Sequence, residues 1–164
     1  MEPKVKPAKT ADQALRSLMN LCVRGERSTA DARRLMRKWG VAEQDAAKVL
    51  ARLVAERFID DRRYAEAFVR DKLNLSGWGV YKIGATLRAK GLSADVVAAA
   101  LEQSSSSDME ARLEALVRRK VHSVKAKSAF ERRAKLMRYA LSQGYDYEMA
   151  RSCVESVVEE ESEE

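Results

Sequence analysis

Two adjacent aspartates, Asp60 and Asp61, are the most enzyme-like feature of the sequence. Paired carboxylates can bind a metal ion or act together as an acid and a base. The nearby acids Glu66 and Asp71 fall on mixed faces of the run that follows, so they do not complete such a site. An aspartate N-cap followed by a first-turn acid stabilises the start of a helix. We therefore interpret Asp60 and Asp61 as a helix start and not as catalytic groups.

The segment Ser76-Gly77-Trp78-Gly79-Val80 resembles a glycine-rich phosphate loop only superficially. It lacks the P-loop pattern and no strand precedes it, so we predict a loop that connects two helices. Trp78 remains open to three interpretations. It stacks on a nucleic-acid base, it enters a pocket on a partner, or it seals a junction between structural units.

Histidine and cysteine offer no further catalytic site. His122 is the only histidine, and Cys22 and Cys153 are far apart without a CxxC pair. Each cysteine falls on an apolar helical face, which predicts a small buried thiol. We expect no enzyme activity, no cofactor and no metal.

Positive charge dominates most of the chain. The formal net charge is +6, although the last ten residues hold six glutamates and no basic residue. A basic body with an acidic tail favours a polyanionic partner or a strongly acidic protein surface. The tail is then expected to compete with that partner for the basic faces. Solvated lysines and arginines on an ordinary helical protein would give the same composition.

Neither a membrane span nor a signal peptide is evident. No apolar run approaches 18 residues, the length that a membrane helix requires, and the N-terminus lacks the apolar region of a signal peptide. We therefore expect a cytoplasmic protein without a membrane partner.

Three glycines, Gly40, Gly91 and Gly144, divide the chain into equivalent segments. The positions four and eight residues before each glycine, and one, six, nine and ten after it, are apolar or small in all three segments. Glycine readily takes the left-handed conformation that ends a helix. The pattern predicts three copies of one unit: helix, turn, helix, glycine turn, helix.

The predicted fold class is all-α, with three tandem three-helix (helix-turn-helix-like) repeats in an elongated, curved array and a small core in each repeat. The predicted divisions are a disordered basic arm (1–11), the three repeats (12–57, 58–103 and 104–158) and an acidic tail (159–164). Ser28, Ser107 with Glu110, and Ser128 are predicted to start helices.

The helix that opens the central repeat has a predicted apolar face. Tyr64, Phe68 and Leu75 fall near this face. The helices that follow the three glycines hold too few basic residues for sequence-specific DNA readout.

The central segment carries a resemblance to a known family. Phe58-Ile59-Asp60-Asp61, followed by Arg63-Tyr64-Ala65, Phe68-Val69-Arg70, Lys82-Ile83, Leu87 and Lys90-Gly91-Leu92, resembles the RecX family of recombinase regulators. The resemblance covers nearly the whole chain, is most specific from Phe58 to Leu101, and is looser in the third repeat and at the termini.

The resemblance implies a protein that binds the RecA recombinase, chiefly its filament on single-stranded DNA. It implies restraint of filament growth, ATP hydrolysis, strand exchange and co-protease activity, and so an effect on recombination, DNA repair and the SOS response. It also implies action without catalysis, and binding to single-stranded and possibly double-stranded DNA. We expect a monomer. The alternative is a general nucleic-acid-binding helical protein that acts through its basic faces without RecA.

The residues expected to contact the partner or DNA are basic. They are Arg63, Arg70, Lys72, Lys82, Arg88, Lys90, Arg118, Arg119 and Lys120. Tyr64, Ala65 and Gly91 also match the family pattern and are expected to be structural. The loop from Ser76 to Gly79 is less basic than is common in the family, which argues against strong phosphate binding there.

Overall fold

The computed structural model describes residues 3–163, and all regular structure in this range is helical. The α-helices are α1 (Ala11–Arg24), α2 (Thr29–Lys38), α3 (Glu43–Ala55), α4 (Asp61–Asp71), α5 (Val80–Ala89), α6 (Ala94–Leu101), α7 (Ser106–Val121), α8 (Ala129–Ser142) and α9 (Tyr147–Glu163). One π-helical turn, Lys72–Ser76, directly follows α4. Three consecutive helices form each repeat, which confirms the predicted all-α fold of three tandem three-helix repeats.

The three glycines end the second helix of each repeat, as predicted. Gly40, Gly91 and Gly144 have φ of 73°, 90° and 93°, in the left-handed region. In each repeat the next amide donates back to the carbonyl five residues earlier, for example Val41 N–H to Met36 O at 3.0 Å. This hydrogen bond is typical of a Schellman helix end. Such an end requires a residue in the left-handed conformation, which glycine adopts readily because it has no Cβ.

The polar side chains that the sequence indicates as helix starts act as N-caps, with one exception. Asp60 accepts the Arg63 N–H at 3.1 Å, so it is the N-cap of α4 and not part of a carboxylate site. Ser28 and Ser128 cap α2 and α8. The prediction of Ser107 with Glu110 is wrong, because α7 is capped by Ser105. Four consecutive serines offer several equivalent caps, so the local pattern could not select the register.

The π-helical turn changes which side chains face the core. It adds residues to one helical turn and so rotates the positions after Lys72 relative to α4. Leu73 is buried, whereas Leu75 is 83% exposed, so its predicted place beside Tyr64 and Phe68 is wrong.

The apolar side chains form two cores. Leu18, Met36 and Leu53 lie at the centre of the first, which belongs to repeat 1 and is closed by Ile59. The second core is continuous through repeats 2 and 3, from Ala65 to Val158. The prediction of one small core per repeat therefore holds for repeat 1 alone. Repeats 2 and 3 share one core, and their backbones also come into direct contact.

Two glycines make that direct contact possible. Gly79 N–H donates to Gln143 O at 2.7 Å, and Tyr81 N–H donates to Gly144 O at 3.0 Å. A Cβ on Gly79 would collide with the Gly144 carbonyl, and a Cβ on Gly144 would collide with Lys82. The loop before α5, predicted as a simple helix connection, is therefore also the junction between repeats 2 and 3.

The junction between repeats 1 and 2 is polar. Both oxygens of the Asp61 carboxylate accept hydrogen bonds from Thr29, at 2.8 Å from its N–H and 2.7 Å from its hydroxyl. Arg63 Nε donates to Glu26 at 2.6 Å. Asp61 is thus a first-turn acid of α4, as predicted, and also a contact to the preceding repeat.

The end of the segment predicted as a disordered arm makes specific contacts. Lys9 N–H donates to Trp39 O at 2.9 Å, and Lys9 Nζ lies 3.9 Å from the centre of the Trp39 ring. Thr10 caps α1. Within residues 3–163, no helix is both long and apolar enough to cross a membrane.

Candidate functional site

The clearest grouping of predicted site residues surrounds two aromatic rings of repeat 2. Phe68 and Trp78 meet edge to face, with ring centres 6.5 Å apart. Lys72 Nζ and Lys82 Nζ lie 4.5 Å and 4.3 Å from the Trp78 ring centre. Lys90 Nζ lies 5.8 Å from the Phe68 ring centre. We call these five residues the lysine–aromatic cluster.

The local sequence explains how the cluster forms. Lys72 follows Phe68 by four residues along α4 and its π-helical continuation, the spacing that places side chains on one helical face, whereas Trp78 precedes α5 and meets Lys82 from the loop. Gly77 has φ of 67°, a left-handed turn that folds Trp78 back until its N–H donates to Lys72 O at 3.0 Å. Lys90 ends α5. The cluster thus combines α4, the π-helical turn, the loop and α5.

The ammonium groups of the cluster carry uncompensated charge. None of the three lysines forms an ion pair with any residue between Pro3 and Glu163. The aromatic faces attract the ammonium groups and partly offset their mutual repulsion. Such an arrangement can bind phosphates or a carboxylate-rich protein surface. Arg70 and Arg88 are exposed on the same repeat and likewise form no ion pair in this range.

Arg63 lies apart from the cluster. Besides its ion pair with Glu26, it donates to the carbonyls of Arg57 and Phe58 at 3.1 Å and 3.2 Å. The hydrogen bond that Arg63 donates to Glu26 raises the pKa of Arg63 above its ordinary value. Its guanidinium therefore joins repeats 1 and 2, a structural role that its charge alone did not indicate.

The predicted basic residues of repeat 3 have two different environments. Arg118 is neutralised by Glu114 at 2.9 Å and by Glu160 at 2.7 Å. Residues 159–163 of the acidic tail continue α9, and one of their carboxylates, Glu160, holds a predicted contact residue. Arg119 and Lys120 line a shallow groove with Tyr139, whose ring centre lies 5.0 Å from Lys120 Nζ. All three basic residues lie in the last turn of α7 and not in a loop.

Catalytic and metal-binding groupings are not evident in the described chain. Residues 3–163 contain no cluster of three or more histidine, cysteine or acidic residues that could hold a metal. Cys22 and Cys153 are half-buried free thiols, and burial raises the pKa of each. A raised pKa keeps a thiol protonated and unreactive.

The sequence indicates the three lysines as contact residues but does not indicate their aromatic partners. Helical spacing by four residues signals only the pair of Phe68 and Lys72, because Trp78, although four residues before Lys82, lies in the loop before α5. The contact between these two pairs depends on the π-helical turn and on Gly77. Neither feature has a reliable local pattern.

By its fold, this is an all-α protein of three tandem three-helix repeats. Repeats 2 and 3 match the family models for the second and third three-helix domains of RecX, over residues 60–101 and 108–154. The crystal structure of RecX from Lactobacillus salivarius has the same fold, with a TM-score of 0.81 at 18% identity over 90% of this chain and 96% of that one.

Two sequence relatives agree with the family models. The chain is 37% identical over 112 residues to the regulatory protein RecX of Chromohalobacter salexigens, covering 68% of this chain and 71% of that protein. It is 31% identical over 125 residues to the regulatory protein RecX of Oceanobacillus iheyensis, covering 76% of this chain and 44% of that protein. The chain belongs to the RecX family of regulatory proteins.

The relatives differ from this chain in length. The chain spans about half the length of the first relatives it matches, 44% of the Oceanobacillus iheyensis protein and 56% of each of two from Clostridium botulinum.

Proposed function

We propose that this protein binds the filament that the RecA recombinase forms on single-stranded DNA and inhibits it without catalysis. The protein inhibits filament extension, ATP hydrolysis, strand exchange and co-protease activity. The protein thereby modulates recombination, DNA repair and the SOS response in the cytoplasm, acting as a monomer.

The lysine–aromatic cluster carries this proposal. Its three ammonium groups lie on one repeat beside the same two aromatic rings, and none forms an ion pair within residues 3–163. A filament of protein on DNA offers both phosphates and acidic side chains, and either can replace the water around these groups. Family membership supports a regulatory role, and the cluster supplies a surface for it.

The test is inhibition of DNA-dependent ATP hydrolysis by RecA. Replacing Lys72, Lys82 and Lys90 together by glutamine removes their charge and keeps most of each side chain. We expect the concentration for half-maximal inhibition to rise at least about tenfold, since each ammonium that meets an anion contributes on the order of 0.5–1 kcal/mol.

A matched control removes the same charge elsewhere. Lys38, Lys48 and Lys125 are exposed, contact no aromatic ring and form no ion pair within residues 3–163. Their triple glutamine variant should inhibit like the unmodified protein. Equal loss in both variants would show that net charge matters and the cluster does not. Absence of inhibition by the unmodified protein at equimolar RecA would exclude the proposal itself.

The alternative, a nucleic-acid-binding protein that acts without RecA, is favoured by one observation. The groove of Arg119, Lys120 and Tyr139 shares Leu116 with the loop at Gly77, so basic and aromatic groups of two repeats lie on either side of one leucine. Titration of single- and double-stranded DNA in a salt series distinguishes the functions. Tight, steeply salt-dependent binding without RecA supports the alternative, and undetectable binding at about 50 mM salt excludes it.

A further inference from the structure

Repeat 1 contains an open apolar groove of about 960 Å³ between α2 and α3. Leu50 contributes to its floor. Ala47, Ala51 and Val54 of α3 form one wall, and Val54 is 46% exposed. Arg33 and Arg37 of α2 line the opposite side.

The fold itself does not require this apolar wall. Ala47 and Ala51 lie seven and eleven residues after Gly40, and the same positions after Gly144 are Arg151 and Glu155. In repeat 3 these two residues form an exposed ion pair at 3.8 Å. The same helix position is thus charged in one repeat and apolar in the other. Repeat 2 has Ala98 and Glu102 at these positions, so both positions are apolar in repeat 1 alone.

The basic side of the groove indicates the charge of its occupant. Arg33 and Arg37 are one helical turn apart and exposed, and neither forms an ion pair with another residue between Pro3 and Glu163. An occupant that places carboxylates beside these guanidiniums gains charge-assisted hydrogen bonds. Glu43 at the start of α3 is the one acidic residue that lines the groove. The groove therefore carries a negative charge at that end, opposite in sign to Arg33 and Arg37.

The shape of the groove indicates a helix. The floor and wall run along α3, whose 13 residues extend for about 20 Å. An amphipathic helix binds such a groove through an apolar stripe of residues spaced by three and four. A second copy of this chain does not supply that stripe from its acidic helix, because Val154, Val157 and Val158 of α9 are buried in its own core.

We propose that the groove between α2 and α3 docks an amphipathic helix of a partner protein, with the apolar stripe on α3 and an acidic edge beside Arg33 and Arg37. This interaction goes beyond the proposed function. It requires neither the lysine–aromatic cluster nor DNA, and it gives repeat 1 a partner-binding role of its own.

The experiment uses the full chain and two fluorescent peptides of about 15 residues, long enough to span α3. Both carry leucines at i, i+4, i+7 and i+11. One has glutamates along one edge of the stripe, and the other has lysines there. By fluorescence anisotropy, the acidic peptide should bind at least about tenfold more tightly than the basic peptide, since two charge pairs change sign. Replacing Arg33 and Arg37 by glutamate should reverse the preference.

Matched substitutions locate the binding. Ala47→Glu places a charge on the apolar wall at an exposed helical position, and it should weaken the acidic peptide about tenfold or more. Ala98→Glu is the control, because Ala98 is the equivalent, exposed position seven residues after Gly91 in repeat 2. Helical content by circular dichroism should be the same for both variants.

Three results would overturn the proposal: no saturable binding of either peptide, equal binding of both, or binding that Ala47→Glu leaves unchanged. A dimer in sedimentation that Ala47→Glu dissociates would also overturn it, since the occupant would then be a second copy. The peptide assays contain no RecA and no DNA, so the three peptide results leave the proposed inhibition of RecA intact, whereas a dimer would also contradict the proposed monomer.

Discussion

Repeat 1 meets repeat 2 through charged and hydroxyl side chains, whereas repeat 2 meets repeat 3 through backbone atoms and a shared apolar core. At the first junction, Asp61 and Arg63 contact Thr29 and Glu26. At the second, two glycines bring the backbones together. A polar junction between separate cores can open without exposing much apolar surface. A junction inside a continuous core cannot.

This difference predicts that the chain unfolds in two units. Repeats 2 and 3 should unfold as one unit, while repeat 1 is joined to them by a few hydrogen bonds and by Ile59, which packs in the first core. Trp39 lies in repeat 1 and Trp78 in repeat 2, and they are the two tryptophans of the chain. Variants that keep only one tryptophan can therefore report on each side of the polar junction separately.

The largest effect is expected from Gly79→Ala at the second junction. Gly79 has φ of −85°, which alanine can adopt, so the cost comes from the collision of the new Cβ with the Gly144 carbonyl. We expect a loss of about 3 kcal/mol in the free energy of unfolding, as for a strongly overpacked core. Urea unfolding followed by circular dichroism and by Trp78 fluorescence measures it.

The control is Gly25→Ala. No atom lies within 4 Å of a Cβ built there, and φ of 173° is extended backbone that any residue adopts. Its free energy of unfolding should change little. If the two alanine variants are equally stable, the second junction is not the rigid contact that the glycines indicate.

A smaller effect is expected from Asp61→Ala at the first junction. The substitution removes two hydrogen bonds to a carboxylate, from the Thr29 N–H and hydroxyl, and should cost about 2 kcal/mol. Because repeat 1 has its own core, its Trp39 transition should separate from the Trp78 transition in urea. Fluorescence of the two single-tryptophan forms measures both midpoints.

Asp95→Ala separates this effect from helix-start electrostatics. Asp95 is an exposed acid in the first turn of α6. The substitution should lower the free energy of unfolding only by the contribution of a first-turn charge, about 0.3–1 kcal/mol. Coincident transitions in Asp61→Ala would mean that the two cores are coupled despite their polar junction.

The sequence predicted the features that repeat locally and missed those that depend on distant contacts. Gly40, Gly91 and Gly144 each act within one helix end, so their spacing alone revealed the three repeats. The junctions join residues far apart in the chain: Arg63 to Glu26, and Gly79 to Gln143. No periodicity reports such pairs, so a residue singled out for its charge, such as Arg63, also has a structural role that only coordinates reveal.

The candidate site likewise depends on contacts that the local sequence does not predict. Lys72, Lys82 and Lys90 were identified from charge and family resemblance, and their contact with a partner remains a prediction. Their arrangement around Phe68 and Trp78 depends on the π-helical turn and on the left-handed Gly77. Trp78 was open to three interpretations, and the structure places it beside the junction of repeats 2 and 3, packed against their core.

The smallest effect is expected from Tyr145→Phe, which tests the second junction with a single hydrogen bond. The Tyr145 hydroxyl donates to Gly77 O at 2.9 Å, and its loss should cost about 1 kcal/mol near neutral pH. Urea unfolding at constant pH measures this difference. Tyr81→Phe is the control, because the Tyr81 side chain is 60% exposed.

The same hydroxyl gives the second junction a pH dependence. Burial raises the pKa of Tyr145 from its ordinary value of 10.0 to about 12. Between these values the unfolded chain has lost the proton and the folded chain keeps it, so stability falls as pH rises from 10 towards 12. Below pH 10 the contribution is complete. Tyr145→Phe should remove this part of the decline, while Tyr81→Phe should keep it. A decline of equal steepness in Tyr145→Phe would assign the alkaline instability to other groups and leave the hydrogen bond to Gly77 without a role in it.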